Sequence, residues 1–156
     1  MAKELDVGDP APDFALPAGG AGHARLADFS DKAVVLYFYP KDDTSGCTAE
    51  AIAFSVLKSQ FDAAGAAVVG VSPDSAASHD RFKKKHDLAV TLAADPERVA
   101  IEAYGVWKEK SMYGRKYFGV ERSTFLIDRK GRIAKIWRKV KVPGHAAEVL
   151  AAAKTL

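Results

Sequence analysis

Cysteine is nearly absent: Cys47 is the only one in 156 residues. A single thiol excludes an internal disulfide, a dithiol redox pair and a cysteine-caged zinc site within the chain. No apolar run approaches the roughly 18 to 20 residues that a membrane-crossing helix needs. The opening Met1-Ala2-Lys3-Glu4-Leu5-Asp6 carries no apolar stretch of the secretory-signal kind, so a cytoplasmic location is expected. Excess charge of one sign is also scarce, with 23 Lys and Arg against 20 Asp and Glu, a formal net charge of +3. So small an excess does not make a nucleic-acid-binding protein by itself. The densest basic run, Arg81 to His86, distributes Lys83, Lys84 and Lys85 around a helix and reads as a solvated face, a phosphate-binding patch being the alternative. His23, His79, His86 and His145 are scattered, and His79 and His86, if they share a helix face, read as surface polar groups. Neither a metal nor a cofactor is expected.

What is present is the composition of a globular chain, 48% apolar and 28% charged. The length fits one domain spanning residues 1–156, large enough to bury a core. Extended pieces around residues 14–16 and 24–26 flank the turn Pro17-Ala18-Gly19-Gly20 and predict an N-terminal hairpin. Residues 33–39 form an unbroken apolar run rich in β-branched and aromatic side chains, the pattern of a strand buried on both faces. Pro40 ends it. Phe54, Leu57, Phe61 and Ala64 recur at helical spacing and predict a helix from Cys47 to Ala64, stopped by Gly65.

A second buried strand follows over residues 66–71, then a helix capped by Ser75 or Asp74 that runs to His86. Pro96 suits the first turn of a short helix bearing Val99, Ile101 and Tyr104. Residues 123–128 form a strand, Arg129-Lys130-Gly131 a turn, 132–140 a returning strand, and 145–154 a last helix. A βαβ unit, a longer excursion and a ββα unit give an α/β chain of thioredoxin-like order, a central mixed sheet flanked by helices. Fold alone does not give function.

The lone cysteine falls where a polar turn enters the helix after the first central strand. Unpaired N–H groups and the positive end of the macrodipole favour thiolate there. Asp42, Asp43 and Glu50 oppose it if they face the sulfur, so a nearby cation is required, and an arginine suits that task. The bland readings are a buried inert cysteine, Thr44 as a helix cap, Pro40 as a strand stop and Arg122 as a surface charge. Tyr39, Trp107 and Phe118 read as core or pocket wall, and Glu50 as an acid favouring the macrodipole.

Pro40-Lys41-Asp42-Asp43-Thr44-Ser45-Gly46-Cys47 resembles the peroxiredoxin signature Pro-x-x-x-Thr-x-x-Cys. The wider string 37–48, together with Gly8-Asp9-Pro10-Ala11-Pro12-Asp13-Phe14, Gly105-Val106-Trp107-Lys108-Glu109-Lys110 and residues 121–128, is similar to the bacterioferritin comigratory (Q-type) branch. The resemblance covers nearly the whole chain. It implies Cys47 as the peroxidatic cysteine and Thr44 as the hydroxyl that bonds thiolate and peroxide. It also implies Pro40 as the shield of the pocket and Arg122 as the steadying cation. Many Q-type members carry a resolving cysteine where this chain has Ile52, and others where it has Lys83.

The resemblance therefore implies a thiol peroxidase for hydrogen peroxide and organic hydroperoxides, recycled by an external thiol such as thioredoxin, glutaredoxin or glutathione. A monomer is expected, with a dimer as the alternative. Two further readings compete: a cysteine acyl-transferase or hydrolase, for which no histidine has a recognisable position relative to Cys47, and a redox sensor or thioredoxin-like binding module that passes oxidation to a partner.

Overall fold

The computed structural model describes residues 4–19 and 22–156; Met1 to Lys3 of the opening and Gly20 of the expected hairpin turn lie outside them. β1 (Ala15–Pro17) and β2 (His23–Arg25) pair antiparallel, with Leu16 opposite Ala24, so the N-terminal hairpin is present. A single 3-10 turn, Leu26–Phe29, leads into β3 (Ala33–Phe38), whose six residues are all buried. That continuous burial is why the run shows no alternation. The next elements are α1 (Ser45–Val56), α2 (Lys58–Ala63), β4 (Ala66–Ser72), α3 (Ala76–His86), β5 (Thr91–Ala94) and α4 (Val99–Ala103). The hairpin β6 (Trp107–Met112) and β7 (Arg115–Val120) precedes β8 (Ser123–Ile127), β9 (Ile133–Trp137) and α5 (His145–Ala153).

The central sheet runs β5-β4-β3-β8-β9. β3 pairs parallel with β4 and antiparallel with β8, and β4 and β5 are parallel while β8 and β9 are antiparallel. This is the mixed thioredoxin-like sheet. One face carries Val35, Tyr37, Val68 and Leu126 against Phe54, Phe61, Phe82 and Val149 of the helices. The other carries Leu36, Phe38, Val69, Val71, Phe125 and Ile127 against Phe14, Ile101 and Tyr104. Gly70 of β4 pairs with Tyr37 of β3, whose ring lies over it so closely that a Cβ there would stand 2.5 Å from the ring. Only glycine leaves room for that tyrosine. No helix among the described residues is long and apolar enough to cross a membrane.

Several elements differ from the sequence expectation. The helix expected over 47–64 begins two residues earlier and breaks at Leu57, where ψ is 2°. Phe54 and Phe61 still meet with ring centroids 5.9 Å apart, so the apolar period continues across the break and conceals it. Pro96 precedes α4 rather than occupying its first turn, since Arg98 is the residue before Val99. The excursion between α3 and β8 holds β5 and the β6–β7 hairpin, neither of which the pattern of apolar residues revealed.

Candidate active site

Register brings the site together. Phe38, the last residue of β3, pairs with Ser123, the first of β8. The loop leaving β3 enters α1, and Arg122 immediately precedes β8, so the start of α1 and Arg122 meet at one end of the sheet. Cys47 is the third residue of α1 and is buried, with 1% exposure. The Arg122 guanidinium donates through Nη2 to Cys47 Sγ at 3.3 Å and through Nη1 to Glu50 Oε1 at 2.7 Å. Cys47 and Glu50 sit three residues apart, on one helical face, so a single guanidinium spans both. Gly46 permits the approach: a Cβ there would stand 3.2 Å from Arg122 Nη2.

From the sequence, Glu50 is expected to be an acid that favours the macrodipole. It is instead the buried partner of Arg122, and its spacing from Cys47 was the available signal. Burial pushes its carboxyl up to about 7, against the guanidinium, which pulls the other way. The second oxygen, Oε2, is buried without a hydrogen-bond partner among the described residues, which is consistent with that cost of desolvation. The Arg122 guanidinium is held above its ordinary value: burial works against its charge, and the Glu50 and Cys47 charges outweigh it.

The other two acids near the cysteine turn away from it. Asp43 pairs with Lys85 at 2.6 Å and with His86 at 2.8 Å. Asp42 accepts from the Tyr39 hydroxyl at 2.6 Å and from Ser78 Oγ at 2.8 Å, and lies 2.7 Å from His79 Nδ1. His79 Nε2 lies 3.0 Å from the Ala93 carbonyl. His79 is thus a fully buried group that ties the loop before Cys47 to α3 and β5, not the surface polar residue its scattered spacing suggested. Its Asp42 partner is held below the usual carboxylate range; burial pushes the carboxyl up, and the His79 and Tyr39 hydrogen bonds outweigh it.

Thr44 occupies the N-cap position of α1 but its side chain caps nothing; Oγ1 donates to the Lys41 carbonyl at 2.9 Å. Among the described residues no hydrogen bond joins it to the sulfur. It is solvent-exposed, three residues before Cys47, and Pro40 is half-buried in the same loop. Of the aromatic residues assigned to core or wall, Tyr39 is buried and Trp107 half-buried beneath the Arg98 guanidinium at 4.5 Å. Phe118 is 58% exposed, because it lies on the outlying hairpin rather than the central sheet.

A thiol in the first turn of a helix, with an arginine on the sulfur and the neighbouring acids paired elsewhere, is equipped for nucleophilic attack. The AhpC/TSA family profile matches residues 7–136. The chain belongs to the AhpC/TSA family. Peroxiredoxin Bcp of Bacillus subtilis is 47% identical over 152 residues, covering 97% of either chain. A putative peroxiredoxin bcp of Coxiella burnetii is 49% identical over 146 residues, covering 94% of this chain and 97% of that one. The bacterioferritin comigratory protein of Xanthomonas campestris was solved as trapped intermediate and ligand complexes bearing on its alkyl peroxide reduction activity. It matches with TM-score 0.87 and 45% identity over 91% of this chain and 90% of that one. A cysteine-to-serine variant of Xylella fastidiosa PrxQ matches with TM-score 0.92 and 41% identity over 99% and 98% of the two chains.

This peroxiredoxin is accordingly a thiol-dependent peroxidase of the Bcp/Q type, acting on a hydroperoxide with a thiol reductant. With one cysteine in the sequence, it lacks the resolving thiol.

Proposed function

We propose that Cys47 is the attacking thiolate of a one-cysteine cycle carried by one domain, a monomer of the cytoplasm, and that Arg122, Thr44 and Pro40 serve it. The sulfur attacks the terminal hydroperoxide oxygen, an S–O bond forms and the O–O bond breaks. Its electron pair leaves on the alkoxide or hydroxide, which takes up a proton to depart as alcohol or water. Fixed donors aimed at that oxygen stabilise its developing charge: the Arg122 guanidinium and the N–H groups of the first turn of α1. The Thr44 hydroxyl gives its one proton to the Lys41 carbonyl, which fixes the loop beside the helix start and leaves Oγ1 to accept from the hydroperoxide O–H. Pro40 has no N–H to offer solvent or peroxide, which suits a shielding position.

The sulfenic acid then condenses with an external thiol, releasing water and leaving a mixed disulfide. A second thiol displaces Cys47 and carries away the oxidised reductant. Thioredoxin, glutaredoxin and glutathione are suitable reductants, and hydrogen peroxide and alkyl hydroperoxides suitable substrates. The single observation that carries the reading is the Arg122 contact with Cys47 Sγ at 3.3 Å. The test is peroxide loss with a thiol reductant in the parent and in Cys47→Ser. Turnover should disappear in the serine variant while its circular dichroism is kept; retained turnover refutes the assignment.

A further inference from the structure

The hairpin β6–β7 is joined to the site by chain, since Arg122 follows two residues after Val120. Register divides its side chains between two faces, because cross-strand partners in an antiparallel pair share a face and successive residues alternate. Trp107, Glu109, Ser111, Lys116, Phe118 and Val120 fall on one face. There Val120 enters the core and Glu109 pairs with Lys116 at 3.7 Å. Lys108, Lys110, Met112, Arg115, Tyr117 and Gly119 fall on the other. That second face holds three cations and no carboxylate, a local excess as large as the formal net charge of the whole chain, +3. A Cβ at Gly119 would lie 3.6 Å from both Lys110 Cδ and the Tyr117 ring, so the lysine stem and the aromatic ring close over the glycine.

The charged strip leads to the cysteine. Lys110 lies within electrostatic reach of both Arg122 and Cys47; burial, then the Arg122 charge, lowers its ammonium, and the Glu121 and Cys47 charges act against them. At the far end the turn Tyr113-Gly114 has positive φ at both residues, 53° and 77°. Tyrosine rarely adopts that conformation, and here it is 97% exposed. Met112, Tyr113, Tyr117 and Phe118 are all exposed within this one hairpin. Exposed Tyr, Met and Arg side chains are the residue types enriched where proteins meet.

We propose that the Lys108–Lys110–Tyr117–Arg115–Met112 face of the hairpin is the docking surface for a protein thiol reductant whose reactive cysteine is surrounded by an acidic rim. The inference rests on the one-cysteine cycle above, in which every turnover requires an external thiol to reach Cys47. From Lys108 to Met112 the strip runs about 14 Å at strand spacing. It offers more charge over more length than one small thiol carboxylate can meet, whereas a rim of carboxylates on a protein matches it. Complementary charge of this kind acts mainly on the association rate and is weakened by salt.

The test measures recycling of peroxide-oxidised enzyme by an acidic bacterial thioredoxin, kept reduced by its reductase and NADPH, against recycling by dithiothreitol. In Lys108→Glu/Arg115→Glu the thioredoxin rate constant should fall about tenfold relative to the dithiothreitol rate constant, and raising salt should narrow the gap. Lys108→Gln/Arg115→Gln should fall between parent and reversal, which separates a charge effect from a folding defect. Equal thioredoxin-to-dithiothreitol ratios in parent and reversal variant at low salt overturn the proposal. So does binding of the parent hairpin to anionic phosphatidylglycerol vesicles with no change in the thioredoxin ratio, which assigns the strip to a membrane surface. If the parent consumes no peroxide even with dithiothreitol, the peroxidase reading fails; the docking proposal then still stands or falls by binding of thioredoxin to parent and reversal variant, read by titration calorimetry.

Discussion

Replacing Glu50 by glutamine separates two opposed effects at the centre of the site. Burial raises its carboxyl to about 7 in the folded protein from an ordinary 4.5, although Arg122 is only 2.7 Å away. The folded chain therefore holds a proton on Glu50 that the unfolded chain releases between those two values. Stability from this group is fully present below about 4.5 and declines as pH rises through about 7. The loss between about pH 5.5 and about pH 8 is about 2 kcal/mol from that pair of values. Glutamine keeps an acceptor for Arg122 Nη1 and cannot ionise. Urea unfolding at both pH values should thus show a fall in parent stability about 2 kcal/mol larger than in Glu50→Gln. Identical falls in the two proteins would mean that the guanidinium outweighs burial and that Glu50 is already a carboxylate in acid.

Arg122→Met keeps a long side chain beside Cys47 and removes the charge. Single-turnover oxidation by hydrogen peroxide should slow about a hundredfold or more, and an unchanged rate would leave the helix dipole as the main activator. Thr44→Val deletes the hydroxyl at similar shape; peroxide oxidation should slow about tenfold or more in stopped flow, and parent speed would remove Thr44 from the reaction. Gly70→Ala places a methyl where 2.5 Å separates it from the Tyr37 ring. Urea unfolding should show a loss of about 1 to 3 kcal/mol, and parent stability would mean that β4 yields freely.

Where local chemistry dictates structure, the sequence was legible. β3 could be read because both its faces are buried, and α3 because Ser75 accepts from the Ser78 N–H as a cap. Cys47 at a helix start followed from the polar turn before it. β5 escaped notice because Thr91-Leu92-Ala93-Ala94 is short and mostly small side chains. The β6–β7 hairpin escaped because its strands are charged and largely exposed, and its turn uses Tyr113-Gly114 in place of the Asn-Gly or Asp-Gly that marks such turns. Long-range contacts were the hardest to read. The Arg122–Cys47 contact crosses 75 residues and was reached by family resemblance alone, and the His79–Asp42 contact crosses 37 and left no periodic trace. The first is made by the β3–β8 pairing and the second by the β3–β4 pairing, which brings α3 beside the loop that leaves β3, and no window of sequence contains either.

The most direct test of a one-cysteine cycle is mass analysis of peroxide-treated protein under denaturing, non-reducing conditions, with and without thioredoxin or glutathione. Without thiol, Cys47 should advance from sulfenic to sulfinic and sulfonic acid in a monomeric chain. With thiol, overoxidation should be suppressed and a mixed disulfide at Cys47 should appear and then be released. A dominant Cys47–Cys47 dimer of two chains that turns over as fast as the monomer would contradict the account.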